Sequence, residues 1–189
     1  DAKEMSDATF DSLSQFADTL DYVHVIPDPY RVRIAWGGFS MVNATLQMFK
    51  YAVGLLPCTV GGQIDFHKVV HISSTTYPIA SKAKIREEIS KYPLDANFMQ
   101  VVNFPLRPPH WSYFCECDDK LHRIYDLEVP TGTKSGFDLY TASQWFILSS
   151  DFAQYLALAE PGSFVYGFLE YAEHIVVADE TFFGTVLKN

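Results

Sequence analysis

The sequence feature that most restricts the fold of this chain is an alternation of short β-rich runs with amphipathic helical patterns. The clearest helical pattern predicts a helix from Phe39 to Val53, with one apolar face formed by Val42, Leu46, Phe49 and Val53. An alternating order of this kind favours an α/β layer fold over a helical bundle or a β-sandwich. No internal repeat or low-complexity tract interrupts the order.

The other predicted elements continue this alternation along the chain. Helices are predicted at Asp11–Thr19, Ser81–Ser90 and Asp151–Ala159, and a last one opens at Asp179. Strands are predicted at Tyr22–Ile26, Val69–Ser73, Met99–Phe104, Trp145–Leu148 and Ile175–Val177. Prolines loosen the pattern from Pro105 to Gly136, where the polar turn Cys117–Lys120 predicts a hairpin.

Length and charge narrow the classes of protein and partner. A chain of 189 residues that is 48% hydrophobic can bury one core, so a single domain over residues 1–189 is expected. The net charge of −9 disfavours a nucleic-acid partner, because a polyanion would meet a repulsive average field. No apolar run approaches the roughly 20 residues that span a bilayer, and the first residues lack the pattern of a signal peptide.

Neither the cysteines nor the histidines predict a structural site. Cys58, Cys115 and Cys117 are too few for a disulfide scaffold, and they do not identify the redox compartment. Cys115 and Cys117 with scattered histidines make a poor zinc ligand set, so no metal site is predicted. The glycosylation sequon at Asn43 lies inside a helical apolar pattern, which favours a packed or merely solvated helix residue over a glycosylation site.

Four segments of the chain read as motifs: WGGFSMVNATL at 36–46, HISSTTYPI at 71–79, SQWFILS at 143–149 and ADETFFGTV at 178–186. Taken together and in this order, they resemble the core-2/I-branching and xylosyltransferase family, which is glycosyltransferase family 14. The resemblance covers the chain from about Arg31 to Lys188. Any one of the four segments alone would be weak evidence.

The resemblance implies a fold and a reaction. The fold is of GT-A type, an incomplete Rossmann-like sheet with flanking helices. The reaction transfers a sugar, GlcNAc or xylose, from a UDP donor to a glycan or glycoprotein hydroxyl, with inversion and without a metal cofactor. A eukaryotic parent would lie in the Golgi lumen and would be held to the membrane by a segment that this chain lacks. Both ends look cut, so we expect a first strand and helix before residue 1 and a phosphate-binding segment after Asn189.

Glu180 is the residue to which the resemblance assigns catalysis, as the base that deprotonates the acceptor hydroxyl. The helix dipole favours its ionised form, because it lies in the first turn of the predicted last helix. Without the resemblance, the Asp179-Glu180 pair reads more simply as a helix cap. Neighbouring helix residues project about 100° apart, so these two carboxylates do not form a glycosidase pair.

The resemblance also places residues around the two substrates. Donor binding is expected from Asp1, Ser73 and Ser74, and acceptor binding from Arg107, Trp111, Gln144 and Asp179. Trp145 is predicted to lie in the core. Thr76 replaces an aspartate that the family commonly carries, which puts any contact of that carboxylate in doubt.

Two alternatives of other classes remain at this point. A non-catalytic carbohydrate-binding relative fits Thr76 and the missing phosphate-binding segment. A serine hydrolase is disfavoured, because the sequence lacks a Gly-x-Ser-x-Gly elbow. No Asp-x-Asp metal motif is present, and Asp118-Asp119 is predicted to be a surface turn. Gly37-Gly38 fits either close approach to a phosphate or tight strand-to-helix packing.

Overall fold

A computed structural model describes residues 5–55, 66–103, 112–130 and 135–189 of the chain. The helices in these residues are α1 (Asp7–Ala17), α2 (Phe39–Leu55), α3 (Lys82–Ile89), α4 (Ser150–Ala157), α5 (Phe164–Ala172) and α6 (Asp179–Lys188). The strands are β1 (Lys68–Val70), β2 (Val101–Asn103), β3 (Ser112–Cys117), β4 (Lys120–Glu128), β5 (Tyr140–Ala142) and β6 (Ile147–Ser149). The predicted mixed α/β class is confirmed.

The strands of the described residues form three antiparallel pairs. β1 pairs with β6, β2 pairs with β5, and β3 pairs with β4 as the predicted hairpin. An isolated bridge between Phe98 and Ile147 connects the segment before β2 to β6. The described strands therefore form three short two-stranded sheets in place of one continuous sheet.

Helix α2 forms one wall of the core, as its apolar periodicity predicts. Val42, Leu46 and Phe49 are buried, and Val53 packs against the same core. Both sequon residues lie within α2 as predicted, with Asn43 half-buried and Thr45 buried. The opposite wall comes from α4, α5 and α6.

Serine side chains begin four of the six helices. Each accepts a hydrogen bond from the backbone N–H three residues later, which satisfies a group that has no partner within the helix. These N-caps are Ser6, Ser81, Ser149 and Ser163. Helix α6 begins differently, because its N-cap is Ala178 and no side chain caps it.

Several predicted elements are wrong in position or type. The first helix begins at Asp7 instead of Asp11, because Ser6 supplies the cap. Residues 22–26 form no strand, and residues 175–177 form a turn before α6. Helix α5 was not predicted at all. Trp145 was predicted to lie in the core, yet 45% of its surface is exposed, because β6 begins only at Ile147.

Helix α6 packs closely on strand β5 because Gly184 has no side chain. A Cβ at this position would lie 2.5 Å from the Cβ of Ala142. One residue further on, the Thr185 hydroxyl accepts a hydrogen bond from the Tyr140 N–H at 3.0 Å and donates one to the Tyr140 carbonyl at 3.2 Å. These contacts fix the helix on the sheet, and with it the residues of its first turn.

Substitution of Gly184 by alanine should destabilise the protein by roughly 1–3 kcal/mol, the usual cost of overpacking a core. Alanine favours a helix by only about 1 kcal/mol over glycine, and the Cβ of Ala142 cannot rotate away, so the overlap dominates. Gly167 on α5 is the matched control, because a Cβ there would contact nothing within 4 Å. Gly167→Ala should stabilise the protein by up to about 1 kcal/mol. Urea unfolding measures both; equal effects would contradict the packing of α6 on β5.

Candidate functional site

The second, third and fourth motifs meet helix α2 around a group of aromatic rings. Phe146 of the third motif lies 5.0 Å from Phe183 of the fourth, measured between ring centroids, and Phe49 of α2 lies 6.4 Å from each. His71 of the second motif lies 4.9 Å from Phe146. Segments that are distant in the sequence therefore share one packed centre.

The first motif opens with a tight turn that leads into α2. The Gly38 N–H donates to the Ala35 carbonyl at 3.0 Å, and Gly37 has φ +78°, as the third residue of a type II turn requires. The Ser40 hydroxyl accepts a hydrogen bond from the Ala35 N–H at 2.8 Å. Trp36 occupies the second position of the turn, and its indole is 80% exposed.

Glu116 of strand β3 caps α2 from outside the helix. Its Oε2 accepts a hydrogen bond from the Ser40 N–H at 3.0 Å. A Cβ at Gly38 would overlap the same carboxylate oxygen, so a larger residue there would displace the Glu116 side chain from this position. The tight-packing interpretation of Gly38 is thereby supported, and the end of α2 that favours anions is occupied by a carboxylate.

The β3–β4 hairpin is attached to the rest of the chain at two further points. At its tip, the Arg33 guanidinium donates to both carboxylate oxygens of Asp119, at 3.1 and 2.6 Å. Along β3, the Phe114 N–H donates to the His174 carbonyl at 3.0 Å, and the rings of Tyr113 and His174 stack at 4.1 Å. The predicted surface turn at Asp118-Asp119 is confirmed, and both residues have positive φ.

The turn of the first motif contacts the start of the fourth. The Gly37 carbonyl accepts a hydrogen bond from the Val177 N–H at 2.7 Å. Val177 has φ +54°, a conformation that is uncommon for a β-branched residue. Its own carbonyl accepts a hydrogen bond from the Glu180 N–H at 3.2 Å. Two hydrogen bonds thus connect the residue after Trp36 to Glu180.

Asp179 and Glu180 have opposite environments. Asp179 is only 3% exposed, and its Oδ1 has no hydrogen-bond partner among the described residues. Burial raises the pKa of its carboxyl above the ordinary value, and the charge of Glu180 adds to the effect, while the backbone N–H groups at the helix start oppose it. Glu180 is exposed. The helix therefore turns one carboxylate into the protein and the other outward.

The second and third motifs meet at His71. Its Nδ1 lies 2.9 Å from the Gln144 carbonyl, and since a carbonyl can only accept, Nδ1 carries the proton. Burial lowers the pKa of His71, so the ring is neutral at neutral pH. The Trp145 ring lies beside it at 5.3 Å.

The predicted substrate residues are distributed over several places. Ser73 belongs to a polar turn in which its hydroxyl lies 2.8 Å from the Thr76 hydroxyl, and Ser74 is exposed in that turn. Gln144 is half-buried next to His71. Asp1, Arg107 and Trp111 lie outside the described residues, so their roles stay predictions.

A cavity of about 350 Å³ lies beside Glu116, and Glu180 is not part of its lining. Its polar lining side chains come from Arg33, Ser40, Asn43, Glu116, Glu173 and His174. Among the residues described by the structure, no three His, Cys, Asp or Glu side chains converge as metal ligands would. Within the same residues, no helix combines the length and the apolarity that crossing a bilayer requires.

Sequence reasoning missed the two residues that shape this region most. Glu116 lies in strand β3. An acidic residue in a strand carries no sequence signal that it caps a helix elsewhere in the fold. Val177 was assigned to a strand because it is β-branched, although its N–H bonds to Gly37. Only the Gly37-Gly38 pair signalled a close approach of backbone at this place.

Comparison with known protein families gives a match over almost the whole chain. A family model described as "Branch: Core-2/I-Branching enzyme" matches residues 2–189. No curated protein matches the chain.

Substitution of Asp179 by asparagine should stabilise the protein by roughly 1 kcal/mol at pH 7, because it removes a buried charge that lacks a full set of partners. A raised pKa means that the folded state binds the proton more tightly than the unfolded state. The wild type therefore gains stability from Asp179 as pH falls through the raised pKa, and the difference from the variant should shrink toward pH 4.

Asp151, exposed in the first turn of α4, is the matched control. Asp151→Asn removes a favourable charge from a helix start and should cost a few tenths of a kcal/mol. Urea unfolding at several pH values measures both variants. A loss of stability in Asp179→Asn at pH 7 would contradict the assignment of a costly buried charge.

Proposed function

The chain belongs to the Core-2/I-branching enzyme family, whose members are glycosyltransferases, and on that premise we propose that it transfers GlcNAc or xylose from a UDP donor to a hydroxyl of a glycan or glycoprotein. The proposed reaction inverts the anomeric carbon in a single displacement. It needs one base for the incoming hydroxyl and support for the departing diphosphate. We propose a GT-A-type fold for the domain and no metal cofactor.

Glu180 is the proposed base. Its carboxylate is exposed at the start of α6, where an acceptor can reach it. The position of the helix start is fixed from both sides, by the Gly37–Val177 hydrogen bond and by the packing of Gly184 on Ala142. A base on a rigid element keeps its distance to the reacting hydroxyl, which proton transfer requires.

The other substrate residues are proposed from the same family membership. The polar turn that contains Ser73 and Ser74 offers hydroxyl groups to the donor, and Gln144 offers an amide to the acceptor. Asp1 on the donor side and Arg107, Trp111 and Asp179 on the acceptor side complete the proposed set. Asp179 is buried. An acceptor can contact it only if the acceptor enters the protein at the first turn of α6.

One observation favours a second function, that of a non-catalytic carbohydrate-binding relative. Thr76 stands where the family commonly has an aspartate, and its hydroxyl is used within the local turn, where it accepts a hydrogen bond from the Ser73 N–H at 3.3 Å. Any substrate contact that the aspartate carboxylate makes in the family is therefore lost in this chain. This alternative predicts sugar binding without turnover.

The place of action follows from the family, whose members typically reside in the Golgi. For a eukaryotic parent protein we propose the Golgi lumen.

Substitution of Glu180 by glutamine should lower kcat by a factor of roughly 10²–10⁴, the usual contribution of a positioned base. UDP release measured with several UDP-sugars, with and without EDTA, checks the prediction. Glu170→Gln on α5 neutralises another exposed carboxylate and should leave kcat unchanged. Undiminished kcat in Glu180→Gln would exclude Glu180 as the base, and strict dependence on manganese would contradict the metal-free mechanism.

A further inference from the structure

Trp36 is a large apolar side chain left in water at a defined place. Its indole is 80% exposed, although tryptophan is strongly buried on average in folded proteins. The indole does not belong to the aromatic centre formed by Phe49, Phe146 and Phe183. Packing of the core therefore does not explain it.

Hydrogen bonds fix the backbone that carries Trp36. Within the turn, Gly38 and Ser40 both bond to Ala35, at 3.0 and 2.8 Å. Glu116 of strand β3 accepts a hydrogen bond from the Ser40 N–H. The Gly37 carbonyl is bonded to Val177. An exposed aromatic ring on a rigid backbone loses little conformational entropy on binding, because only its two side-chain torsions remain to be fixed.

The same contacts connect the backbone next to Trp36 with the backbone of the proposed base. Gly37 follows Trp36 directly and bonds to Val177, whose carbonyl bonds to the Glu180 N–H. Both Trp36 and Glu180 are exposed. A flat apolar ring and a carboxylate, both suited to a sugar, therefore extend from backbone segments that are bonded to each other.

We propose that Trp36 is the stacking platform for the acceptor sugar, and this proposal rests on the function proposed above. One face of a pyranose ring presents mainly C–H groups, which pack well on the electron-rich face of an indole. Stacking of that kind orients the ring, so that one of its hydroxyl groups points at the carboxylate of Glu180. Trp36 thereby selects acceptors that carry a sugar ring over acceptors that offer only a side-chain hydroxyl.

The test compares Trp36→Ala and Trp36→Phe with the wild type at saturating UDP-sugar and varied concentrations of β-galactoside disaccharides. The KM for the disaccharide should rise about tenfold in Trp36→Ala and less in Trp36→Phe, which keeps an aromatic face. The KM for the UDP-sugar should stay within twofold. Tyr22→Ala is the matched control, because Tyr22 is 78% exposed and lies in a different segment, between α1 and α2.

A second measurement separates failure of this proposal from failure of the proposed function. If the wild type releases no UDP with any donor, binding of the same disaccharides is measured directly by titration calorimetry. Binding by the wild type and by Tyr22→Ala, but not by Trp36→Ala, supports the platform without catalysis. Equal binding or equal KM in Trp36→Ala and Tyr22→Ala overturns the proposal. So does a wild type that binds no disaccharide or that uses only peptide hydroxyls.

Discussion

A single backbone hydrogen bond joins the two ends of the site. The Gly37 carbonyl accepts from the Val177 N–H at 2.7 Å, and this contact fixes the entry to α2 against the entry to α6. It requires Val177 to adopt φ +54°, which costs a β-branched residue of the order of 1–3 kcal/mol. Backbone strain of this size persists only where surrounding contacts fix the conformation. Here those contacts are the Glu116 cap on one side and the docking of α6 on β5 on the other.

Helix α6 is held in place although no side chain caps its N-terminus. Its N-cap, Ala178, offers no side-chain oxygen, and the buried Asp179 leaves one oxygen without a partner in the described part of the chain. The helix is therefore held along its length, by Gly184 against Ala142 and by Thr185 on Tyr140. A polar group that lacks partners at such a place is a sign of function more than of stability.

Local sequence signals predicted the elements whose structure is decided locally. The apolar period of α2, the helix that follows Ser81 and the hairpin turn at Asp118-Asp119 are all confirmed, because a helix face, a helix start and a turn each depend on neighbouring residues. The carboxyl pair at the start of α6 was found in the same way. Contacts across the fold carry no such local signal. Glu116 and Val177 act on residues far away in the sequence, so their roles could be seen only once the segments had been brought together.

The distribution of charge bears on where the proposed nucleotide donor can bind. The N-terminal end of α2 is occupied by the Glu116 carboxylate, and the start of α6 carries two acidic residues, so neither end attracts phosphate. Several cationic side chains already have partners, namely Arg33 with Asp119, Lys84 and Lys91 with Glu88, and Lys68 with backbone carbonyls. A diphosphate that bound at these places would have to displace a carboxylate or a carbonyl from each of them. The carboxylates at the N-terminal ends of α2 and α6 instead suit the proposed acceptor, a neutral sugar whose hydroxyl must give up a proton.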